Sequence, residues 1–167
     1  NVNSARQFCD DKPIVVSPIT LKMRSNPNAT GAPLPIPDGE LPPQVDSRQM
    51  SLLGMCWTLG SLKYNIESQV ESITYFEPVG WRGLMDTSDA PKLADKFPSI
   101  ADAVFPMYHV FIDIGELADA QVMVSNTTNH LLVDILALKQ GNTLTILLAN
   151  MSPNSQKIQL NLPYGQY

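Results

Sequence analysis

Near residue 118 the hydrophobic pattern of the chain passes from alternating strand and helix to successive β runs, and that change limits the folds open to it. Up to Leu117 the order is strand, long loop, helix, strand, loop, helix. In "KPIVVSPITLKMR" (12–24), Ile14, Val15 and Val16 read as a short, fully buried strand of the kind found in a parallel sheet. Asp46 or Ser47 is a fair N-cap for a helix over 48–66. Its Leu52, Cys56, Leu59, Leu62 and Ile66 recur at three and four residues, the stripe of a 3.6-residue helix. Met55 and Trp57 widen that apolar arc. Gly54 and Gly60 each weaken a helix by roughly 1 kcal/mol relative to Ala, so they predict a closely packed neighbour. Strand character returns over 72–77 with Ile73, Thr74, Tyr75 and Phe76. A polar loop follows from Asp86 to Asp102. Pro106 then suits the first turn of a second helix with Met107, Val110, Phe111, Ile114 and Leu117 on its buried stripe. Strand–helix alternation of this kind is the βα unit of a parallel sheet.

Beyond Leu117 come four short β runs: "QVMVSN", "HLLVDILALKQ", "TLTILLANMS" and "QKIQLNLP". Gly141-Asn142 makes the turn between the middle pair. Lys157, Gln159 and Asn161 alternate with Ile158, Leu160 and Leu162, as in an antiparallel strand with one wet face. Two βα units cannot close a sheet, since a (β/α)8 barrel takes about 250 residues, and four antiparallel strands are few for a sandwich. The expected fold is therefore α/β: the C-terminal part of a (β/α)8 barrel followed by strands of an all-β sandwich domain. Residues 1–118 would hold the last two βα units and 119–167 the sandwich strands, with the rest of the barrel upstream. A self-contained α+β domain is the alternative. Charged residues make up only 16% of the chain, fewer than in an average domain, which favours a fragment whose surface is covered elsewhere.

Residues 25–46 carry six of the 14 prolines. Such a segment is either a linker or an ordered loop pinned by Leu34, Ile36, Leu41 and Val45. The formal net charge is −5, and no basic run offers an electrostatic footprint for nucleic acid. No apolar run reaches the about 18–20 residues of a membrane span, and no signal peptide opens the chain, which favours the cytoplasm. Cys56 falls in an apolar helix and reads as a buried thiol. With Cys9 as its sole companion, no disulfide framework is indicated. His109 reads as a helix-packing residue and His130 as exposed. Their spacing supports no zinc site, and neither a phosphate-binding glycine loop nor a G-x-S-x-G elbow occurs. No cofactor is expected.

In α/β barrels the working residues sit at the C-terminal ends of strands and in the loops that follow. Glu77 in "ESITYFEPVGWRGLM" (71–85) closes an apolar strand there. It can serve as general base, general acid or nucleophile, or it can salt-bridge Arg82 to hold the loop. Trp81 offers a sugar-stacking platform or a loop anchor, and Arg82 and Arg24 can each clamp a carboxylate. Glu40 and Gln44 in the long loop complete the substrate-binding candidates.

"KPIVVSPITLKMR", "GELPPQVDSRQMSLLG", "WTLGSLKY", "ITYFEPVGWRGLM" and "FPMYHVF" together resemble the C-terminal part of the D-apionate lactonase family, over roughly residues 1–162. The resemblance implies a glycosidase-clan-like (β/α)8 barrel with a trailing β-sandwich, and hydrolysis of a sugar-acid lactone without a required metal. Retaining glycosidases of that clan carry a nucleophilic Glu at the end of the seventh strand. Here "PIVVSPITL" takes that place and ends without an acid, while Glu77 falls to the eighth. That departs from a reaction needing two carboxylates about 5–5.5 Å apart. It suits one carboxylate activating water against an ester carbonyl, with Arg24 and Arg82 orienting the substrate. A (β/α)8 glycoside hydrolase and a non-catalytic carbohydrate-binding module are the competing functions.

Overall fold

The structure, a computed structural model, describes residues 2–24, 28, 30–32, 35–89 and 92–162. Helix α1 (Val2–Cys9) opens the chain. Its Arg6 donates through Nη2 to the carbonyls of Ser68 and Gln69, each at 2.8 Å. That places a cation on the carbonyl end of the helix that follows.

Strand β1 (Val15–Val16) pairs parallel with β2 (Ser72–Ile73), in register Val15↔Ser72 and Val16↔Ile73. The pairing continues beyond both strands through Thr74 N to Val16 O (2.9 Å) and Ile19 N to Thr74 O (2.8 Å). The intervening segment crosses over through a helix, so the expected βαβ order is present. Two strands form no closed barrel, and one expectation for them fails. Val15 is 59% exposed, not buried, because a two-stranded sheet covers only one of its faces.

The helix expected over 48–66 is two. A 3-10 turn (Ser47–Met50) is capped by Asp46, whose side chain accepts from Arg48 N. Helix α2 (Leu52–Glu67) is capped by Ser51, whose hydroxyl accepts from Gly54 N at 3.1 Å. Ser51 itself is extended (φ −102°, ψ 162°) and breaks the run. Cys56, Leu59 and Leu62 are buried as the periodicity requires, and burial pushes the Cys56 thiol up. Leu52 and Trp57 instead face outward, at 67% and 36% exposure. The two glycines do mark close neighbours. A Cβ at Gly54 would meet the Arg48 carbonyl oxygen and Met107 Cε (3.1 Å), and one at Gly60 would meet Met151 Cε (3.0 Å).

Helix α3 runs Met107–Glu116 from Pro106, which already has helical dihedrals. Met107 and Val110 are buried, and Phe111, Ile114 and Leu117 pack against the core. A three-stranded antiparallel sheet follows: β5 (Gln121–Met123), β6 (Val133–Gln140) and β7 (Thr143–Asn150), in that order. β6 and β7 pair from Val133↔Asn150 to Gln140↔Thr143 around Gly141-Asn142. Leu136, Leu138 and Ala149 of this sheet share one core with Cys56, Leu59, Leu62, Tyr75 and Val110. At roughly 25 cal/mol per Å² of apolar surface removed from water, this common burial is what joins helices to sheet.

The fourth β run forms no strand among the described residues. Residues 157–162 are exposed on both alternating sets. A period of two sorts side chains only where a strand partner and a facing layer exist. Here the run borders a groove of about 410 Å³ against Leu144, Ile146 and Leu148. Among the described residues the β5–β7 sheet is the one antiparallel sheet; the other two are parallel pairs. No helix described is long and apolar enough to cross a membrane.

A second core gathers Val45, Phe97, Phe105 and Met107, with Leu41, Trp81 and Leu84 packed on it. It orders the end of the proline-rich loop through Leu41 and Val45. Ile36 is 47% exposed and anchors nothing; Leu34 lies outside the described residues.

Candidate active site

Glu77 does not end the strand that begins at Ser72. That strand stops at Ile73, and Glu77 opens a separate short element, β3 (Glu77–Val79), beside β4 (Gly83–Met85). The register is parallel, Glu77↔Gly83 and Val79↔Met85. Parallel neighbours need a long crossover in an ordinary sheet, yet only residues 80–82 intervene here. Two glycines make the tight coil possible. Gly80 sits at φ +94°, a region that L side chains avoid. A Cβ on Gly83 would lie 2.7–2.9 Å from backbone atoms of Val79. Gln49 steadies the coil by donating through Nε2 to Gly83 O at 2.8 Å. Trp81 and Arg82 are thereby displayed between the glycines of "GWRG".

Both expected arginines reach Glu77. Arg82 Nη2 lies 2.8 Å and Arg24 Nη1 3.1 Å from the same oxygen, Oε1. Arg24 comes from the segment after β1, so the two βα units meet at this carboxylate. The three side chains are 34–40% exposed, which leaves them accessible to a ligand. Beside them opens a cavity of about 460 Å³, lined by Glu77, Trp81, Arg82, Gln44, Asp86 and Lys92, among others. Trp81 presents itself to the cavity while its ring rests on Phe97, with centroids 6.1 Å apart. It is both anchor and wall.

Glu40 is not among the lining residues. Its carboxylate is exposed and held by Lys96 Nζ at 2.6 Å. Arg24 does not line the cavity either; it acts on the site through Glu77. His109 is exposed, in edge-to-face contact with Tyr108, and does not pack in the core; His130 is exposed. The described residues hold no group of three or more His, Cys, Asp or Glu side chains placed to share a metal ion.

The cavity adds residues that sequence reasoning passed over: Asp86, Thr87, Asp89 and Lys92. Asp86 had a legible signal. "GLMD" ends an apolar run on a carboxylate just as "TYFE" does. Asp86 N donates to Ala103 O at 3.0 Å. Asp86 follows directly on β4, three residues beyond Gly83, the partner of Glu77, so roughly 10 Å of backbone at about 3.3 Å per residue separates it from that pairing.

Other sequence neighbours of the site are held by charge. Asp46 is buried, and Arg48 grips it through Nε (2.9 Å to Oδ1) and Nη2 (2.7 Å to Oδ2). That hydrogen-bonded guanidinium holds the Asp46 carboxyl below its ordinary range. Lys22 donates to Val45 O at 2.9 Å, tying the segment after β1 to the loop that lines the cavity.

No curated protein and no solved structure matched the chain. Residues 1–119, which span β1 to α3 and all of the site just described, match the family described as D-apionate lactonase, TIM barrel domain. The chain belongs to the D-apionate lactonase family, whose name is that of a hydrolase.

Proposed function

We propose that this chain carries part of the active site of a hydrolase that opens a sugar-acid lactone. The observation that carries the reading is Glu77, gripped on one oxygen by Arg82 and Arg24 at the edge of a cavity walled by Trp81. Two guanidinium groups against one carboxylate leave the trio with a net charge of about +1. A lactone is neutral, but its tetrahedral intermediate and its product are anions. A site of net positive charge therefore favours the reacting species over the ground state. Glu77 takes a proton from water as it adds to the lactone carbonyl carbon. The ring C–O bond then breaks, the proton passes to the departing oxygen, and a hydroxy-carboxylate leaves. Arg82 and Arg24 orient Glu77, Arg82 on the cavity wall faces the oxyanion, Trp81 covers a face of the sugar, and Gln44 meets its hydroxyls.

Glycoside hydrolysis needs a second carboxylate free to act. Asp86 is a carboxylate on this cavity, and both its oxygens already accept hydrogen bonds, from Thr87 N and Ser99 Oγ. This supports the lactone over the glycoside. In the same reading, residues 1–118 are the last two βα units of a barrel and 119–167 strands of a C-terminal sandwich. The outward-facing Val15, Leu52 and Trp57 support a remainder of the barrel packed against them.

The test is turnover of the lactone of D-apionate by the full-length protein and its Glu77→Gln variant, beside aryl glycosides. Loss of a general base costs about 10²–10⁴-fold in kcat. Lactone turnover that survives Glu77→Gln removes Glu77 from the chemistry, and cleavage of aryl glycosides in place of the lactone removes the reaction.

A further inference from the structure

Asp86 is only 3% exposed yet borders the cavity. Its Oδ1 accepts the Thr87 N–H at 2.8 Å, and its Oδ2 accepts the Ser99 hydroxyl. These contacts span the base of the loop that leaves β4, described at 87–89 and 92–103. Backbone bonds from Asp86 N to Ala103 O (3.0 Å) and Asp102 N to Thr87 O (3.1 Å) close the same base. Phe97, fully buried against Phe105 and Trp81, plugs the loop from inside. A loop fixed in this way presents Thr87, Asp89 and Lys92 to the cavity that Glu77 also lines.

The backbone beside the wall is strained. Leu93, next to Lys92, has φ +61°, and Asp102 at the base has φ +59°. A bulky residue such as Leu rarely enters that region, and where it does the surroundings must enforce it. Here Lys96 N and Phe97 N both donate to Leu93 O at 2.9 Å. A strained residue adjoining a cavity-lining lysine marks a backbone held in place for what it presents.

We propose that Asp86 is a positioning residue for substrate recognition. By clamping Thr87 and Ser99 it holds the loop so that Asp89 and Lys92 meet the hydroxyl and carbonyl oxygens of the bound lactone. It acts on affinity and leaves the chemical step to Glu77. The inference rests on the lactone-hydrolase reading. Its energetic basis is pre-organisation, since a wall already ordered costs no ordering entropy when substrate binds.

The experiment is steady-state kinetics of the full-length protein on the lactone of D-apionate, with amide hydrogen exchange followed over the loop. Asp86→Ala raises KM roughly ten- to a hundredfold, keeps kcat within about threefold of the parent, and speeds exchange at Thr87 and Asp102. Asp86→Asn keeps one acceptor for Thr87 N and an amide for Ser99, and recovers most of that loss. Ser99→Ala removes one contact alone and gives a smaller rise in KM, which keeps the test open should Asp86→Ala not fold. A fall in kcat of about a hundredfold in both Asp86 variants makes Asp86 a chemical group and overturns the inference. Faster exchange with unmoved KM makes it merely structural and overturns it too. A parent protein that does not turn over the lactone sinks the hydrolase reading itself, a result distinct from either.

Discussion

Replacing Lys63 with Met tests how the sheet is held to the helices. Lys63 lies on α2 with its side chain 4% exposed. Its Nζ is 3.0 Å from Glu67 Oε2, one turn along the helix, and 3.9 Å from Asp134 Oδ1 on β6. Glu67 in turn accepts from Ser125 N (3.1 Å) and Oγ (3.0 Å) in the segment after β5. Asp134 accepts from Ile135 N at 2.9 Å. Helix and sheet thus meet over one buried cation and two carboxylates that are 4% and 12% exposed. Lys63→Met keeps the aliphatic stem and its packing but leaves two buried carboxylates without their shared cation. Removing one partner of a buried ion pair costs about 3–5 kcal/mol. At about 2–4 °C per kcal/mol for a chain of this size, Tm falls by roughly 6–20 °C. Glu67→Gln leaves Lys63 facing Asp134 and keeps an oxygen for Ser125, so it costs less. Combined with Lys63→Met it recovers part of the loss, because one buried anion is gone. Thermal and urea unfolding followed by circular dichroism on the three variants read the Tm and the free energies. A Lys63→Met protein within about 1 kcal/mol of the parent refutes the reasoning, since the carboxylates would then be satisfied without the cation.

Two further outcomes follow from particular geometry. Gly83→Ala forces a Cβ into the Val79 backbone and costs roughly 1–3 kcal/mol; by shifting Arg82 it also lowers turnover. Gly80→Ala meets no atom within 4 Å but must hold φ +94°, at about 1–2 kcal/mol, so unfolding titrations rank both as destabilising and turnover separates them. Asp46 is the pH probe: its folded-state pKa is lowered, first by the Arg48 hydrogen bond. The parent's stability over Asp46→Asn is therefore fully present above the ordinary carboxyl value of ~3.9 and is lost as pH falls through the lower folded value. A stability difference that grows on acidification contradicts that sign.

Much of the site was legible because it is local. "FEPVGWRG" places a carboxylate, an indole and a guanidinium within six residues, and the Glu77–Arg82 pair needs little beyond that spacing. Arg24 was legible as a candidate, but its contact with Glu77 spans 53 residues and depends on β1 lying beside β2. Glu40 looked equivalent to Gln44 in the same loop. Its capture by Lys96, from a different loop, is invisible to any local pattern. Asp86 repeated the signal that singled out Glu77 and was passed over because a polar loop starts there. Trp57 and Leu52 fit a helical stripe, but periodicity cannot say which part of a wide apolar arc meets the core.

The sequence by itself determined where several elements begin and turn, because caps, glycine turns and 3.6-residue spacing act within a few residues. Asp46 starts a helical turn, Gly141-Asn142 reverses a hairpin, and Cys56, Leu59 and Leu62 choose the buried side of α2. It also determined the family, through motifs long enough to be specific. Tertiary structure alone decided what those elements do together. It coiled Glu77–Met85 so tightly that Gly83 touches the Val79 backbone, brought Arg24 to Glu77, buried Asp86 beneath a cavity wall, and left Ile158, Leu160 and Leu162 without a layer to cover them. The physical reason is range. Propensity and periodicity are properties of neighbours in the chain, whereas ion pairs, close backbone contacts and burial are settled by which distant segments share a surface.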